Sequence, residues 1–339
     1  MRLPDGGDVD AGITDTGRWS AEPLPDAEAL PGRYVLAGLV DAHCHLSVGQ
    51  GEDGPIALDL TAARANLDAA RAAGVTGIRD TGSPGSVSLE LHEDVLACGR
   101  FLAPAGQYFP ALHVPVEAPD LIDAALAEIA AGARWIKLVG DFPTLGPTRT
   151  APTPTYPLVE VARLVEAVHA AGGRVAAHST TRHVSGLIAA GIDSVEHGTE
   201  LSEPDLAALG ARGAAWTLTL SASIGFRPLA DPDRERARLD RRERFAQLLP
   251  LAAAQGVTIM MGTDVVGTMP GEVALLVGLG VPPTAALAAA STAARRYLGL
   301  GDLTDGQPAD LVTYAADPRE NPEVLAHPVA VFAKGTRIH

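Results

Sequence analysis

Lysine is nearly absent from this chain: of its 26 basic residues only Lys137 and Lys334 are lysines, and arginine supplies the rest. Each remaining primary amine is therefore a question in its own right. Cysteine is also scarce. Cys44 and Cys98 are the two present, without CxxC spacing, which excludes a disulfide framework and fits a reducing compartment. No apolar run reaches the ~20 residues needed to span a bilayer. The opening MRLPDGGDVDAGITD has acid, glycine and proline where a signal peptide needs a basic start and an apolar stretch, so the expected location is cytoplasmic. Excess positive charge is missing too: the formal net charge is −15, which argues against nucleic acid or an anionic membrane as partner. A small molecule is the partner that remains, and a homo-oligomer is compatible with the Ala-rich helices.

What is present is alternation. Short β-branched or apolar runs are separated by longer Ala/Leu/Glu/Arg stretches of helical spacing, the pattern of parallel βαβ units. The strand runs are 34–43, 74–80, a stretch within 100–113, 133–140, 173–178, 192–197, 214–220 and 256–264. DLTAARANLDAARAAG, PDLIDAALAEIAAG, LVEVARLVEAVHAAG and RERFAQLLPLAAAQG read as helices, each closed by glycine. The third strand is interrupted by Pro104 and Pro110. APTPTYP at 151–157 reads as a loop. The pattern predicts an α/β fold, a (β/α)8 TIM barrel over 34–302, for which 339 residues leave room beyond the roughly 250 of a bare barrel. Residues 1–33 and 303–339, with strand-like ITDTGRWS, DGQPADLVTYAAD and PVAVFAKGTRIH, are expected to form a small β-subdomain from both chain ends.

The chemistry-bearing residues fall at the C-terminal ends of these runs. His43 and His45 end the first, Lys137 lies in the fourth, and His178, His197 and Asp264 end the fifth, sixth and eighth. In a (β/α)8 barrel that end builds the active site. The two-residue period of a strand turns His43 and His45 to one side and Cys44 to the other. His178 and His197 occupy neighbouring strands, ~4.8 Å apart, close enough to share an ion, and neutral imidazole suits zinc. Asp264 follows the apolar run TIMMGT, where an unpaired charge is costly and a metal would neutralise it. Lys137 sits among apolar neighbours, and a buried ammonium must be paired or neutral. An amine that combines with carbon dioxide becomes an anionic carbamate able to bridge two metal ions, which arginine cannot do. The bland alternatives are that Lys137 snorkels to solvent or pairs with Asp141, and that Asp264 caps the following segment. Six such residues at corresponding strand ends argue for the site.

As an ordered set, AGLVDAHCHLSVG, GVTGIRDTG, RWIKLVGD, VAAHSTT, AGIDSVEHG, MMGTDVVG and the C-terminal AASTAARRYLGLGDLTDGQPADLVTYAADP resemble the amidohydrolase superfamily, in its imidazolonepropionase-like and prolidase-like branch. The resemblance covers ~34 to 339. It departs in a short N-terminal segment and in a compact stretch between Asp264 and Glu272. It implies hydrolysis of an amide-like bond in an N-acyl amino acid, a dipeptide or a cyclic amide. The implied cofactors are two divalent ions, zinc first, in a binuclear centre bridged by carboxylated Lys137, with Asp264 as general acid/base toward a metal-bridging hydroxide. The alternative is a one-metal deaminase or cyclic-amide or lactone hydrolase with unmodified Lys137. A barrel that has kept its ligands and lost catalysis, and a lyase or isomerase using the same metals, are further readings. Loop residues His113, Arg149, Tyr156, Arg182, His183, Ser221 and Arg227 are candidate substrate contacts, arginine suiting a carboxylate.

Overall fold

The computed structural model describes residues 7–52, 54–146 and 150–339. Its centre is a run of parallel strands. Leu39–Cys44, Val75–Asp80 and Leu96–Ala97 pair in that order; Thr258–Met261, Ala215–Leu218, Ser194–His197, Arg174–Ser179, Trp135–Val139 and Phe101–Leu102 pair in a second. A parallel bridge Cys44↔Asp264, with the Asp264 amide donating to His43 O at 2.8 Å, joins the last strand's exit to the first. The result is a TIM-barrel-like α/β arrangement. Such strands are covered on both faces and read as unbroken apolar runs. Leu39, Val40, Ile136, Leu138, Val175 and Trp216 are accordingly buried.

The helices between strands show why the sequence patterns as it does. Leu60–Ala72 starts on an Asp59 cap that accepts from Ala62 N and buries Ala63 and Leu67; Leu158–Ala170 buries Val161, Leu164, Val165 and Val168, the 3-4 spacing of one helical face. Pro232–Ala254, capped by Asp231, is 23 residues long and begins well before the RERFAQLL stretch that its sequence marks. Among the described residues no helix is long and apolar enough to cross a membrane.

Three expectations are corrected. The run 34–43 is two strands: Tyr34–Ala37 pairs antiparallel with Leu311–Tyr314, while Leu39–Cys44 pairs with Val75–Asp80. The break falls at Gly38, where a Cβ would lie 2.0 Å from Thr76 Oγ1, so a side chain has no room in the crossover. The third strand is not within 100–113 alone. It consists of Leu96–Ala97 and Phe101–Leu102, interrupted where Ser83 N donates to Gly99 O and Arg100 N to Glu128 Oε2. APTPTYP is not simply a loop: Pro152–Pro154 pairs antiparallel with Asp141–Pro143, an edge where a missing proline N–H costs little.

Both chain ends meet at one flank. Leu311–Tyr314, Ala330–Ala333, Thr336–Arg337 and Tyr34–Ala37 form a four-stranded antiparallel sheet. Nearby, Gly12–Ile13 pairs with Trp19–Ser20, and Arg18 bridges Pro308. Trp19, Val35, Ala309, Leu311, Ala330 and Phe332 make a separate apolar cluster there.

Candidate metal centre

The strand ends converge on one point. One donor atom each of His43, His197 and Asp264 lies within 4.8 Å of the others. His45 Nε2 is 3.6 Å from Asp264 Oδ1, Lys137 Nζ is 3.4 Å from His43 Nε2, and the His178 and His197 ring centroids are 4.5 Å apart. All six residues named from sequence are thus brought together, and they line one cavity of ≈ 810 Å³. Lys137 does not reach Asp141, whose carboxylate is occupied by Ser179, Thr180 and Thr181.

Three of the histidines are oriented by their far ring nitrogen. His43 Nδ1 meets Glu196 Oε2 at 2.6 Å, His45 Nδ1 meets Gly82 O at 2.8 Å, and His197 Nδ1 meets Thr219 Oγ1 at 2.6 Å. An acceptor on Nδ1 holds the proton there and leaves the Nε2 lone pair free, which is how metal-binding imidazoles are set. The donor set therefore fits a divalent ion of zinc type. Burial also keeps the rings neutral: it pushes His45 down to about 3, His178 to about 4, and His43 and His197 well below the ordinary value. Burial lowers Lys137 as well, against the attraction of Glu196 and Asp264. It raises Asp264, with the Lys137 charge opposing.

Backbone strain marks the same place. His197 has φ 66° and Asp264 φ 55°, the left-handed region that non-glycine residues avoid. His197 is held there by Trp216 Nε1, which donates to its carbonyl at 2.9 Å. Asp264 is held by the hydrogen bond that its backbone N–H donates to His43 O.

A supporting network lies beneath the ligands, and sequence reading missed it. Arg79, fully buried, donates to Ala42 O at 2.6 Å, to Glu196 Oε1 at 2.8 Å and to Thr217 Oγ1 at 3.1 Å, with Trp135 stacked at 4.6 Å. Ser194 Oγ donates to the same Glu196 oxygen at 2.5 Å. Asp41 accepts from the His43 amide and from Thr263 N and Oγ1, fastening the first strand to the last; burial pushes its carboxyl up to about 7. The available signal was charge: Arg79 and Glu196 each stand in an apolar strand run, where a charge requires a partner.

The candidate substrate contacts fare differently. His113 is buried, its Nδ1 against Phe109 O at 3.0 Å, and Tyr156 donates to Val116 O at 2.6 Å; neither lines the cavity. Arg182 is 86% exposed, 3.9 Å from Glu200. His183 stands at the N-cap position of the helix Val184–Ala190 without a side-chain capping bond, Ser221 gives its amide to Glu272, and Arg227 is exposed. None of these lines the cavity, and Arg149 lies outside the described residues. Its lining instead includes the apolar side chains of Tyr108, Phe109, Leu112 and Phe142 and the charged ones of Glu200, Asp240, Arg241 and Arg244.

Comparison with known proteins agrees with this architecture. An uncharacterized protein of Mycobacterium tuberculosis (strain ATCC 25618 / H37Rv) is 37% identical over 352 residues, covering 99% of this chain and 93% of that one. The crystal structure of a prolidase complexed with N-methylphosphonate-L-proline superimposes with a TM-score of 0.77 at 24% identity, covering 96% of this chain and 93% of the other. That of a Xaa-Pro dipeptidase with bound methionine also gives 0.77 at 24% identity, covering 90% and 86%. At these identities the two crystal structures speak for the fold. The Amidohydrolase family profile matches residues 34–338, and the chain belongs to the amidohydrolase family.

Proposed function

We propose that the protein is a metal-dependent hydrolase that cleaves an amide-type bond of a small substrate, with His43, His45, His178, His197, Asp264 and carboxylated Lys137 holding two divalent ions. The observation that carries this is the convergence of those six side chains, five from strand ends and Lys137 from within a strand, on one cavity, with the Nδ1 of three histidines already bonded away from the centre. A bound ion supplies a lowered pKa for water and polarises the scissile carbonyl.

The chain's own contribution is positioning and proton handling. Asp264, raised by burial, stands beside His45 and is the group placed to take a proton from the attacking water and return it to the departing nitrogen. Water's oxygen joins the acyl carbon, the C–N bond breaks and the amine leaves protonated. Lys137 is lowered by burial, and the unprotonated amine is the form that combines with carbon dioxide, releasing one proton as the carbamate forms. The catalytic unit is taken as 34–302, with the two chain ends, 1–33 and 303–339, as a small β-subdomain; antiparallel pairing moves Tyr34–Ala37 to the latter.

Asp264→Asn is expected to lower kcat by about 10²- to 10⁴-fold on any cleaved substrate while some metal stays bound through the remaining ligands. Retained turnover would remove Asp264 from this role. The second reading, one ion and unmodified Lys137, draws on the 3.4 Å contact between Lys137 Nζ and His43 Nε2. Metal analysis after growth with zinc and bicarbonate separates them: about two ions per chain for the carbamate, about one for the alternative.

A further inference from the structure

The helix Pro232–Ala254 presents Ala237, Asp240, Arg241 and Arg244 to the cavity, positions spaced three, four and seven along one face. The arginines around it are mostly spent. Arg238 is forked onto Glu235 at 2.6 and 2.7 Å, and Arg244 and Arg182 reach Glu200 at 3.6 and 3.9 Å. Arg241 is different. Its Nε donates to Ser223 O at 2.9 Å, and among the described residues neither Nη meets an acceptor and no carboxylate lies in salt-bridge range. A guanidinium in a cavity wall with two free NH2 groups presents the fork that matches a carboxylate. Partial burial and the neighbouring Arg238 charge disfavour its charged form more than Glu200 and Asp240, which also line the cavity without reaching salt-bridge range, favour it, and an incoming anion relieves the remaining cost. The same cavity is lined by Tyr108, Phe109 and Phe142, which pack ring on ring at centroid distances of 5.0 to 5.3 Å and make an apolar stretch of wall with no charge to offer. The candidate ligands Lys137, His178 and Asp264 line the same cavity.

We propose that Arg241 is the substrate's carboxylate-binding residue, and that the substrate is an amide with a free carboxylate on its amine portion and an apolar, preferably aromatic, acyl portion seated on Tyr108, Phe109 and Phe142. This rests on the amide-hydrolase reading above. It moves the specificity-determining cation from the loop arginines to a helix.

The test uses a matched pair, N-benzoylglycine and its neutral isostere N-benzoylglycinamide, with benzoate release measured on the metal-loaded protein. In the wild type kcat/KM favours the acid by about ten- to a hundred-fold, chiefly through KM. Arg241→Gln brings the ratio close to one, Arg241→Lys keeps part of it, and Arg182→Gln leaves the wild-type ratio. A wild-type ratio near one, or a ratio untouched by Arg241→Gln, overturns the proposal. If neither compound is cleaved, the carboxylate site is read by binding instead, and the hydrolase reading falls only if a broad amide, lactone and dipeptide panel also goes uncleaved. Calorimetric titration of both compounds into metal-loaded wild type and Arg241→Gln then decides the carboxylate site alone. Tighter binding of the acid in wild type, lost in Arg241→Gln, supports it. Equal affinity for the two compounds in wild type, or a preference for the acid that survives in Arg241→Gln, refutes it.

Discussion

Glu196 is the residue on which the geometry of His43 turns. One carboxylate oxygen takes His43 Nδ1 and the other takes Arg79 and Ser194, all of them buried, so the imidazole cannot rotate without leaving a charge unpaired. Partners of this kind set the affinity of the ligand they orient. Glu196→Gln is expected to weaken zinc binding by about 10- to 100-fold in a chelator competition; an unchanged affinity would show that His43 needs no such orientation. Glu196→Ala should also lower unfolding free energy in urea by about 3 kcal/mol, since Arg79 is left buried without its counter-charge. The six ligand candidates could be read from sequence because five are polar residues at the ends of apolar runs and the sixth, Lys137, is a lone charge inside one. Glu196 could not be read in the same way. Strict alternation assigns neighbours to opposite faces, whereas the positive φ of His197 breaks the pleat there, so that His197 turns to the cavity while Glu196 reaches His43. The cavity-lining arginines were illegible for another reason: Arg182 and Arg241 are alike in sequence, and only packing of a 23-residue helix puts Arg241 in the cavity wall while Arg182 stays in solvent.

At the level of elements, the centre depends on how closely the last strand passes the first. Beyond Met261 the chain turns under His43: a Cβ on Gly262 would lie 2.3 Å from His43 Cβ and 2.6 Å from its carbonyl oxygen. Asp41 then ties the passing segment down through Thr263. Gly262→Ala must therefore push the two strand ends apart, displacing His43 and Asp264 together. The expected cost is about 1–3 kcal/mol of stability, with metal stoichiometry falling along with it. A Gly262→Ala protein that binds metal as the wild type does would show that the two ends can separate without disturbing the ligands. Strand order and most strand limits followed from periodicity, because parallel strands buried on both faces leave short apolar runs of fixed length. The exceptions are places where tertiary contact overrides local pattern. YVLAGLVDAH is one apolar run in sequence, yet it serves two sheets because Thr76 and Arg295 crowd Gly38.

Across the whole molecule, buried acids couple folding to pH in a chain already carrying a net charge of −15. Glu272 is the cleanest case, since it lies outside the proposed ligand set. Its two oxygens accept from Leu220 N at 2.7 Å and Ser221 N at 2.8 Å, fastening the segment after one strand to the helix after the next, Met269–Gly278. Burial outweighs those hydrogen bonds and pushes the carboxyl up to about 7. In the unfolded chain an ordinary glutamate loses its proton near pH ~4.3. Between these two values the folded state binds a proton that the unfolded state has released. Glu272 therefore contributes its full stability below the unfolded pKa and loses it as pH rises through about 7. The slope is at most about 1.4 kcal/mol per pH unit. Glu272→Gln removes the proton exchange and sacrifices one acceptor, an offset that does not vary with pH. The unfolding free energy of wild type relative to Glu272→Gln should therefore fall steadily between about pH 5 and about pH 7 and level off above it, in urea titrations at equal metal loading. Parallel profiles for the two proteins would mean that the carboxylate is ionised in the folded state, held by its two amide donors alone.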